Sequence, residues 1–224
     1  MKAVILAGGR GKRLKPITDY VPKPLIPLDN VPIIEWQIRY LKKFGIKEFI
    51  ICTGYRTEQI RNFLKTKNNL KVKIQFSEEK TPLGTGGAIK KLRKWIKNES
   101  FIVINGDVIT NIDIKKLKSK INSIAAIQLK TKFGIMDVRN DKIINFSEKK
   151  QVENLWMNAG IYYFSDKIFR DLPSKGDIEK TTFPKYATEE KINVIKFRGV
   201  EWYSIDSFKD MEDCSLKIKR IIKN

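Results

Sequence analysis

Histidine is absent from all 224 residues. That removes Ser-His and Cys-His nucleophiles, histidine general bases and histidine metal ligands together. Cysteine is nearly absent as well. Cys52 and Cys214 lie far apart with no Cys-x-x-Cys pair, so a structural zinc site has no ligand set. Long apolar runs are missing: none approaches the roughly 20 residues that cross a bilayer. The first apolar run stops at two glycines and a cationic loop, unlike a secretory leader. Acidic residues are outnumbered, 25 against 45 basic ones, which leaves a net charge of +20. Chemistry is therefore left to Asp, Glu, Lys, Arg, backbone amides or a hard cation.

What is present suits one large soluble domain, expected over residues 1–224 in the cytoplasm. A charge of +20 favours anionic partners: nucleic acid, an anionic membrane or a phosphorylated small molecule. The basic residues are spread along the whole chain, in pairs such as Lys90-Lys91 and Lys115-Lys116. No strand interleaves them with aromatics in the manner of an RNA-binding sheet. Small phosphorylated molecules are the expected partners, with no nucleic acid and no membrane. Assembly into a homo-oligomer is left open.

The apolar pattern predicts strands at Lys2–Leu6, Glu48–Thr53, Val72–Phe76 and Phe101–Asn105. Helices are predicted between them over Pro32–Phe44, Thr57–Lys65 and Gly87–Ile96. That alternation means a doubly wound α/β fold, a Rossmann-like and mostly parallel sheet with helices on both faces. Ligands of such sheets sit at the carboxyl ends of the strands. Leu6 and Asn105 are two such ends, so residues 8–13 and Asp107 should face one crevice. The second half reads as a mixed lobe. Strands are predicted at Ile124–Lys130, Gly134–Val138, Ile143–Ser147 and Ala159–Phe164, with a turn at Asn140-Asp141. Helices are predicted at Ile178–Glu189 and Phe208–Ile222, the latter opened by a capping-box-like Ser207…Asp210. Residues 1–110 and 111–224 are thus two halves of one domain.

The loop after the first strand reads Gly8-Gly9-Arg10-Gly11-Lys12-Arg13. It is not a Walker A loop, because Leu6 stands at the first glycine position and Arg13 where Ser or Thr belongs. It is not a dinucleotide fingerprint either, because Leu14 stands at the third glycine. Amides free to converge on phosphate oxygens remain, beside a guanidinium that binds such oxygens bidentately. Taken alone, the loop could equally be a tight turn with solvated charges. Further on, Pro22-Lys23-Pro24 sets a lysine on a rigid base, which suits a fixed phosphate contact or an extended surface linker.

Together, LAGGRGKRLKPIT…PKPLIPL resembles the signature of the sugar-1-phosphate nucleotidylyltransferases. The likeness continues in order. Pro82-Leu83-Gly84-Thr85-Gly86-Gly87-Ala88 resembles the base-recognition loop of that family, and Asn105-Gly106-Asp107 its metal-binding strand end. Glu148-Lys149 and Asn158-Ala159-Gly160 resemble its sugar-binding elements, and Trp202-Tyr203-Ser204-Ile205-Asp206 its second metal motif. Two departures stand out: Lys12 replaces a threonine, and Ser207-Phe208 follow the second aspartate in place of Gly-Thr/Ile-Pro. The C-terminal β-helix carried by longer members of that family is not expected here.

The resemblance implies the nucleotide-diphospho-sugar transferase fold and Mg²⁺-dependent transfer of a nucleotidyl group to a sugar 1-phosphate, with release of pyrophosphate. It implies nucleotide contacts from Leu6, Ala7, Gly8, Gly9, Gly11, Lys12, Arg13, Gly84 and Thr85. It implies sugar-phosphate contacts from Lys23, Asp107, Gly134, Glu148, Lys149 and Asn158, metal ligation by Asp107 and Asp206, and catalysis by Arg13, Lys23 and Asp107. The stretch from Glu78 to Gly87 resembles the mannose- and heptose-1-phosphate guanylyltransferases. Chemistry points the same way. An ionised carboxylate accepts the adjacent N1–H and N2–H₂ of guanine, whereas uracil and thymine present one donor between two acceptors. Glu79 is the expected reader, and GTP the expected nucleotide; the alternative is that Glu78 and Glu79 simply sit on a solvated strand end. The alternatives are a UTP- or dTTP-dependent glucose-1-phosphate enzyme and, in another class, a catalytically silent nucleotide-sugar-binding regulator. Trp156 and Trp202 are expected to serve packing.

Overall fold

A computed structural model describes residues 1–130, 133–148 and 151–223. Seven strands form the central sheet: β1 (Lys2–Ala7), β2 (Glu48–Thr53), β3 (Lys73–Glu78), β4 (Ser100–Asn105), β5 (Ser123–Lys130), β6 (Gln151–Ser165) and β7 (Asn193–Phe197). Their order is β7-β5-β6-β4-β1-β2-β3. β1 lies at the centre of four parallel strands, paired to β2 on one side and β4 on the other. β6 runs antiparallel to both β4 and β5, and β7 lies parallel to β5. One sheet thus takes its strands from both halves of the chain.

Continuous apolar strands need cover on both faces, and alternate side chains show it. Ala3, Ile5, Phe49, Ile51, Ile102 and Ile104 point into one core. That core is closed by α1 (Ile33–Lys43), α2 (Thr57–Lys65), α4 (Ile114–Leu117), α6 (Phe208–Ser215) and α7 (Ile218–Lys223). Val4, Ile50, Phe101, Val103, Tyr162 and Phe164 point into the opposite core, under α3 (Gly84–Lys90) and α5 (Thr182–Thr188). Burying each large side chain contributes about 1.5–3 kcal/mol before entropy is counted. The expected helices on both faces are therefore present.

Several elements differ from the pattern-based expectation, among them the strand expected over Ala159–Phe164, which runs over Gln151–Ser165. The third helix begins at Gly84, not Gly87, and passes into a 3₁₀ turn at Lys91–Lys94. A Gly-Thr-Gly-Gly start is a poor helix former, and packing of those glycines on residues 174–176 stabilises it. The helix expected over Ile178–Glu189 is confined to Thr182–Thr188, because Pro184 lacks an N–H and is tolerated only in a first turn. The last helix is two, α6 and α7, although Ser207 does cap it, accepting from the Asp210 N–H at 3.2 Å. The edge strand β7 was not anticipated. The Asn140-Asp141 turn holds, both residues at positive φ, between Ile135–Arg139 and Lys142–Ser147.

Candidate active site

The carboxyl ends of β1 and β4 lie side by side, and the chain crosses over between them. The Gly106 N–H donates to the Leu6 carbonyl at 3.0 Å. A Cβ on Gly106 would stand 2.4 Å from that same oxygen, so only glycine fits. Gln37 of α1, buried, donates to the carbonyls of Asn105 and Val108 at 2.8 and 2.9 Å, which clamps the backbone on either side of Asp107. Past Asp107 the chain forms a short strand, Val108–Thr110, antiparallel to Trp202–Ser204. The Ile205 N–H donates to the Asp107 carbonyl at 3.0 Å. That ribbon brings Asp206 beside Asp107 from a hundred residues away.

The glycine loop lies above β1. Gly11 adopts φ 62°, and its carbonyl accepts from the Leu14 N–H and the Thr18 hydroxyl. The 3₁₀ turn Lys12–Leu14 buries Leu14 and leaves the Arg13 side chain 74% exposed, with Nη2 3.0 Å from Asp206 Oδ1. Lys23 stands on a second 3₁₀ turn, between Pro22 and Pro24. Its ammonium, on a side chain only 13% exposed, lies 2.7 Å from Asp107 Oδ2 and 2.8 Å from Asp206 Oδ1. Burial pushes the Asp206 carboxyl up, but the hydrogen bond and charge of Lys23, the Ser204 hydroxyl and the Arg13 guanidinium outweigh it and hold the group below its ordinary range.

The other wall comes from the end of β3 and the start of α3. Glu79 Oε2 accepts from the Leu83 N–H at 3.0 Å, and its Oε1 faces Gly8. Burial raises the Glu79 carboxyl above its usual range, offset in part by that N–H and by Lys91. The N–H groups of Gly86 and Gly87 both donate to the Gly176 carbonyl. Thr85 Oγ1 donates to Glu179 Oε2 at 2.5 Å and accepts from the Ile178 N–H. Cys52 also lines this wall, but burial, with the Glu79 charge, pushes its thiol far up and keeps it protonated.

These walls enclose one cleft of about 440 Å³. Leu6, Ala7, Gly8, Gly9, Gly11, Lys12, Arg13, Lys23, Glu79, Gly84, Thr85, Asp107 and Asp206 all line it, as the sequence led us to expect. Asn158, Gly134 and Glu148 do not. Asn158 is linked to the cleft indirectly, donating to the Tyr162 hydroxyl, which donates to Glu179 Oε1. Gly134 and Glu148 adjoin each other at the base of the 135–147 hairpin. Lys149 lies outside the described residues. A second cleft of about 690 Å³, lined also by Gln128, Met157 and Trp202, meets the first at Arg13 and Asp206. Trp202 donates to the Ala159 carbonyl, and Trp156 lies under Lys196 and Arg198. Sequence reasoning missed Asp177, Glu179 and Gln37.

The family model of the nucleotidyl transferases matches residues 2–220. The chain belongs to that family. This nucleotidyl transferase is 42% identical over 195 residues to a D-glycero-alpha-D-manno-heptose 1-phosphate guanylyltransferase of Campylobacter jejuni, covering 84% of this chain and 86% of that one. It is 34% identical over 207 residues to the protein of the same name from Aneurinibacillus thermoaerophilus, covering 89% and 88%. Among solved structures it is similar to HddC from Yersinia pseudotuberculosis, at a TM-score of 0.77 and 30% identity, over 97% of this chain and 99% of that one. The same protein complexed with GMP-PN superposes with a TM-score of 0.76. The expected fold and family both hold. Among the described residues no helix is long and apolar enough to cross a membrane.

Proposed function

We propose that this nucleotidyl transferase moves a guanylyl group from GTP to the phosphate of a manno-configured sugar 1-phosphate, releasing pyrophosphate, as a single cytoplasmic domain. Residues 1–110 form the nucleotide-binding half, which also lends Lys23 and Asp107 to the sugar phosphate, and 111–224 the sugar-phosphate-binding half. The observation that carries this reading is the convergence of the glycine loop, Arg13, Lys23, Asp107 and Asp206 on one cleft. The names of the relatives and the GMP-PN held by a structural neighbour support the guanine base.

The chemistry suits a chain without histidine. The attacking group is a phosphate oxygen, already ionised near neutral pH because the second pKa of a phosphomonoester is about 6. A bond forms from that oxygen to the α-phosphorus, the bond to the β-phosphate oxygen breaks, and pyrophosphate carries the electron pair away. No general base is required; the work is alignment and screening of anions. The amides of Gly8, Gly9 and Gly11, with Lys12, cradle the triphosphate where Leu6 and Ala7 end the strand. Arg13 reaches the departing pyrophosphate, and Lys23 holds the attacking phosphate. Glu79 accepts from the guanine edge, with Gly84 and Thr85 completing the base site. Asn158, Gly134, Glu148 and Lys149 serve the sugar.

The donor set fits Mg²⁺. Two carboxylate oxygens from different strands already meet on one cation, the Lys23 ammonium. Magnesium is commonly held by one or two carboxylates, with phosphates and water completing its shell. Asp107 and Asp206 would hold it. When bound, the ion neutralises charge on the reacting phosphates.

A matrix of nucleoside triphosphates against sugar 1-phosphates, read by pyrophosphate release, tests the proposal. GTP with mannose or heptose 1-phosphate should give the highest kcat/KM. Equal use of GTP, UTP and dTTP would leave the base unassigned, and no turnover with any pair would return the chain to a binding role.

A further inference from the structure

Two duties fall on the same few atoms. The proposed function gives Asp107 and Asp206 to a divalent cation and gives Lys23 to the sugar phosphate, yet the Lys23 ammonium sits on both carboxylates at 2.7 and 2.8 Å. An ion held by these two carboxylates would compete with the ammonium bonded to both. The rest of the geometry is fixed. The Lys23 backbone is held between two prolines, and its stem rests against the loop, since a Cβ on Gly11 would lie 3.1 Å from Lys23 Cβ. Asp206 is held by the Ser204 hydroxyl and, through its backbone N–H, by Asp210 Oδ2. The adjustable part is the flexible end of the lysine side chain.

We infer that Lys23 is a resident cation: it holds the two carboxylates together while no metal is bound, yields its place to the incoming divalent ion, and is thereby released toward the phosphate of the second substrate. The inference rests on the proposed metal site. It gives the lysine a use in the free protein, where two carboxylates converging on one point would otherwise repel each other across a partly buried gap. It also orders events. Before the metal arrives, the ammonium is neutralised by its two partners and offers little to a phosphate. Afterwards it is free and still within a side chain's reach of the cleft. By linkage, the same competition must weaken metal binding in the absence of nucleotide.

The test is direct Mn²⁺ binding, read by electron paramagnetic resonance of the free ion, with no nucleotide or sugar present. Lys23→Met should bind Mn²⁺ about 5- to 150-fold more tightly than the unmodified protein, the range of typical site-to-site coupling. Lys23→Gln should follow it, and so guards against a single variant that misfolds. Lys23→Arg keeps the charge and should stay weak. Asp107→Asn should lose the site in either background. If Lys23→Met and Lys23→Gln bind no more tightly than the unmodified protein while Asp107→Asn still abolishes binding, the resident-cation idea is overturned and the metal site stands. If Asp107→Asn binds Mn²⁺ as well as the unmodified protein, the metal site itself is misplaced and the inference falls with it.

Discussion

Replacing Gly106 by alanine adds one methyl group at the point where the two substrate-facing strand ends touch. The built Cβ lies 2.4 Å from the Leu6 carbonyl oxygen, 3.1 Å from its carbon and 3.3 Å from Ala7 Cα. Gly106 is not in the left-handed region, so the penalty is steric and not conformational. All three clashing atoms are backbone, with no flexible tip to swing away. To reach even 3.0 Å, the Leu6 oxygen must retreat by at least about 0.6 Å, which also stretches the 3.0 Å bond it accepts from Gly106. Overpacking of this kind costs about 1–3 kcal/mol and a weakened hydrogen bond about 0.5–1.5 kcal/mol. For a chain of this length that lowers Tm by roughly 5–15 °C. The displacement separates the glycine loop from Asp107, and misplacements near 1 Å cost about 100-fold in rate. We expect kcat/KM to fall roughly 10- to 100-fold at a temperature where calorimetry shows the variant fully folded. Gly9→Ala is the control for stability: its Cβ meets nothing within 4 Å, and Tm should stay within about 2 °C. A Gly106→Ala protein that melts with the parent and turns over within threefold of it would refute the close-approach argument.

Arg13→Ala should lower kcat by on the order of 3 kcal/mol, a hundredfold or more, by analogy with the loss of one oxyanion donor. Its side chain is 74% exposed, so the melting temperature should hardly move; near-normal turnover would make the contact with Asp206 merely structural. Glu79→Gln should erode the preference for GTP over UTP by about 1–3 kcal/mol, the value of one bidentate base contact, in competition assays. Because burial raises the Glu79 carboxyl, that preference should also decline on acidification at a higher pH than 4.5. Asp171 receives hydrogen bonds from Lys185 and Tyr186, which hold its carboxyl below the usual range. A depressed pKa gives stability that is present above the unfolded value of 3.8 and lost as pH falls through the folded one. Asp171→Asn should therefore lower Tm at pH 7 by an amount that shrinks toward zero in acid. An unchanged gap at pH 2 would point to a packing effect instead.

The parts of the site that sequence made legible are those built from contiguous residues. A continuous apolar strand running into glycines, as at Ala3–Gly9, and another running into Asn105-Gly106-Asp107, declare both the strand and the end that faces ligand. Asp206 was legible only through a motif, because the ribbon that places it beside Asp107 is three residues long on each side. Glu179 and Asp177 were not legible. Asp177 lines the cleft, and Glu179 binds the cleft residue Thr85, because the backbone at 174–176 docks on Gly84, Gly86 and Gly87, where a Cβ would come within 2.6–2.7 Å of its neighbours. The three glycines did signal that something must approach closely there, but not which segment. Gln37 was hidden in an otherwise regular amphipathic helix, where a single buried amide looks like any polar position until its two carbonyl partners are known.

The single antiparallel strand has a consequence for how the chain is made. β1 to β4 are contiguous in sequence and can assemble as soon as residue 105 is available, but the outer edge of β4 is filled by Ile161–Ser165 of β6. At about 5–20 residues per second, ribosomal synthesis leaves that edge open for roughly 3–12 s. It is an apolar edge, Phe-Ile-Val-Ile, with unpaired amides and carbonyls of the kind that recruits other chains. A nascent chain stalled between these points would expose it for as long as the stall lasts.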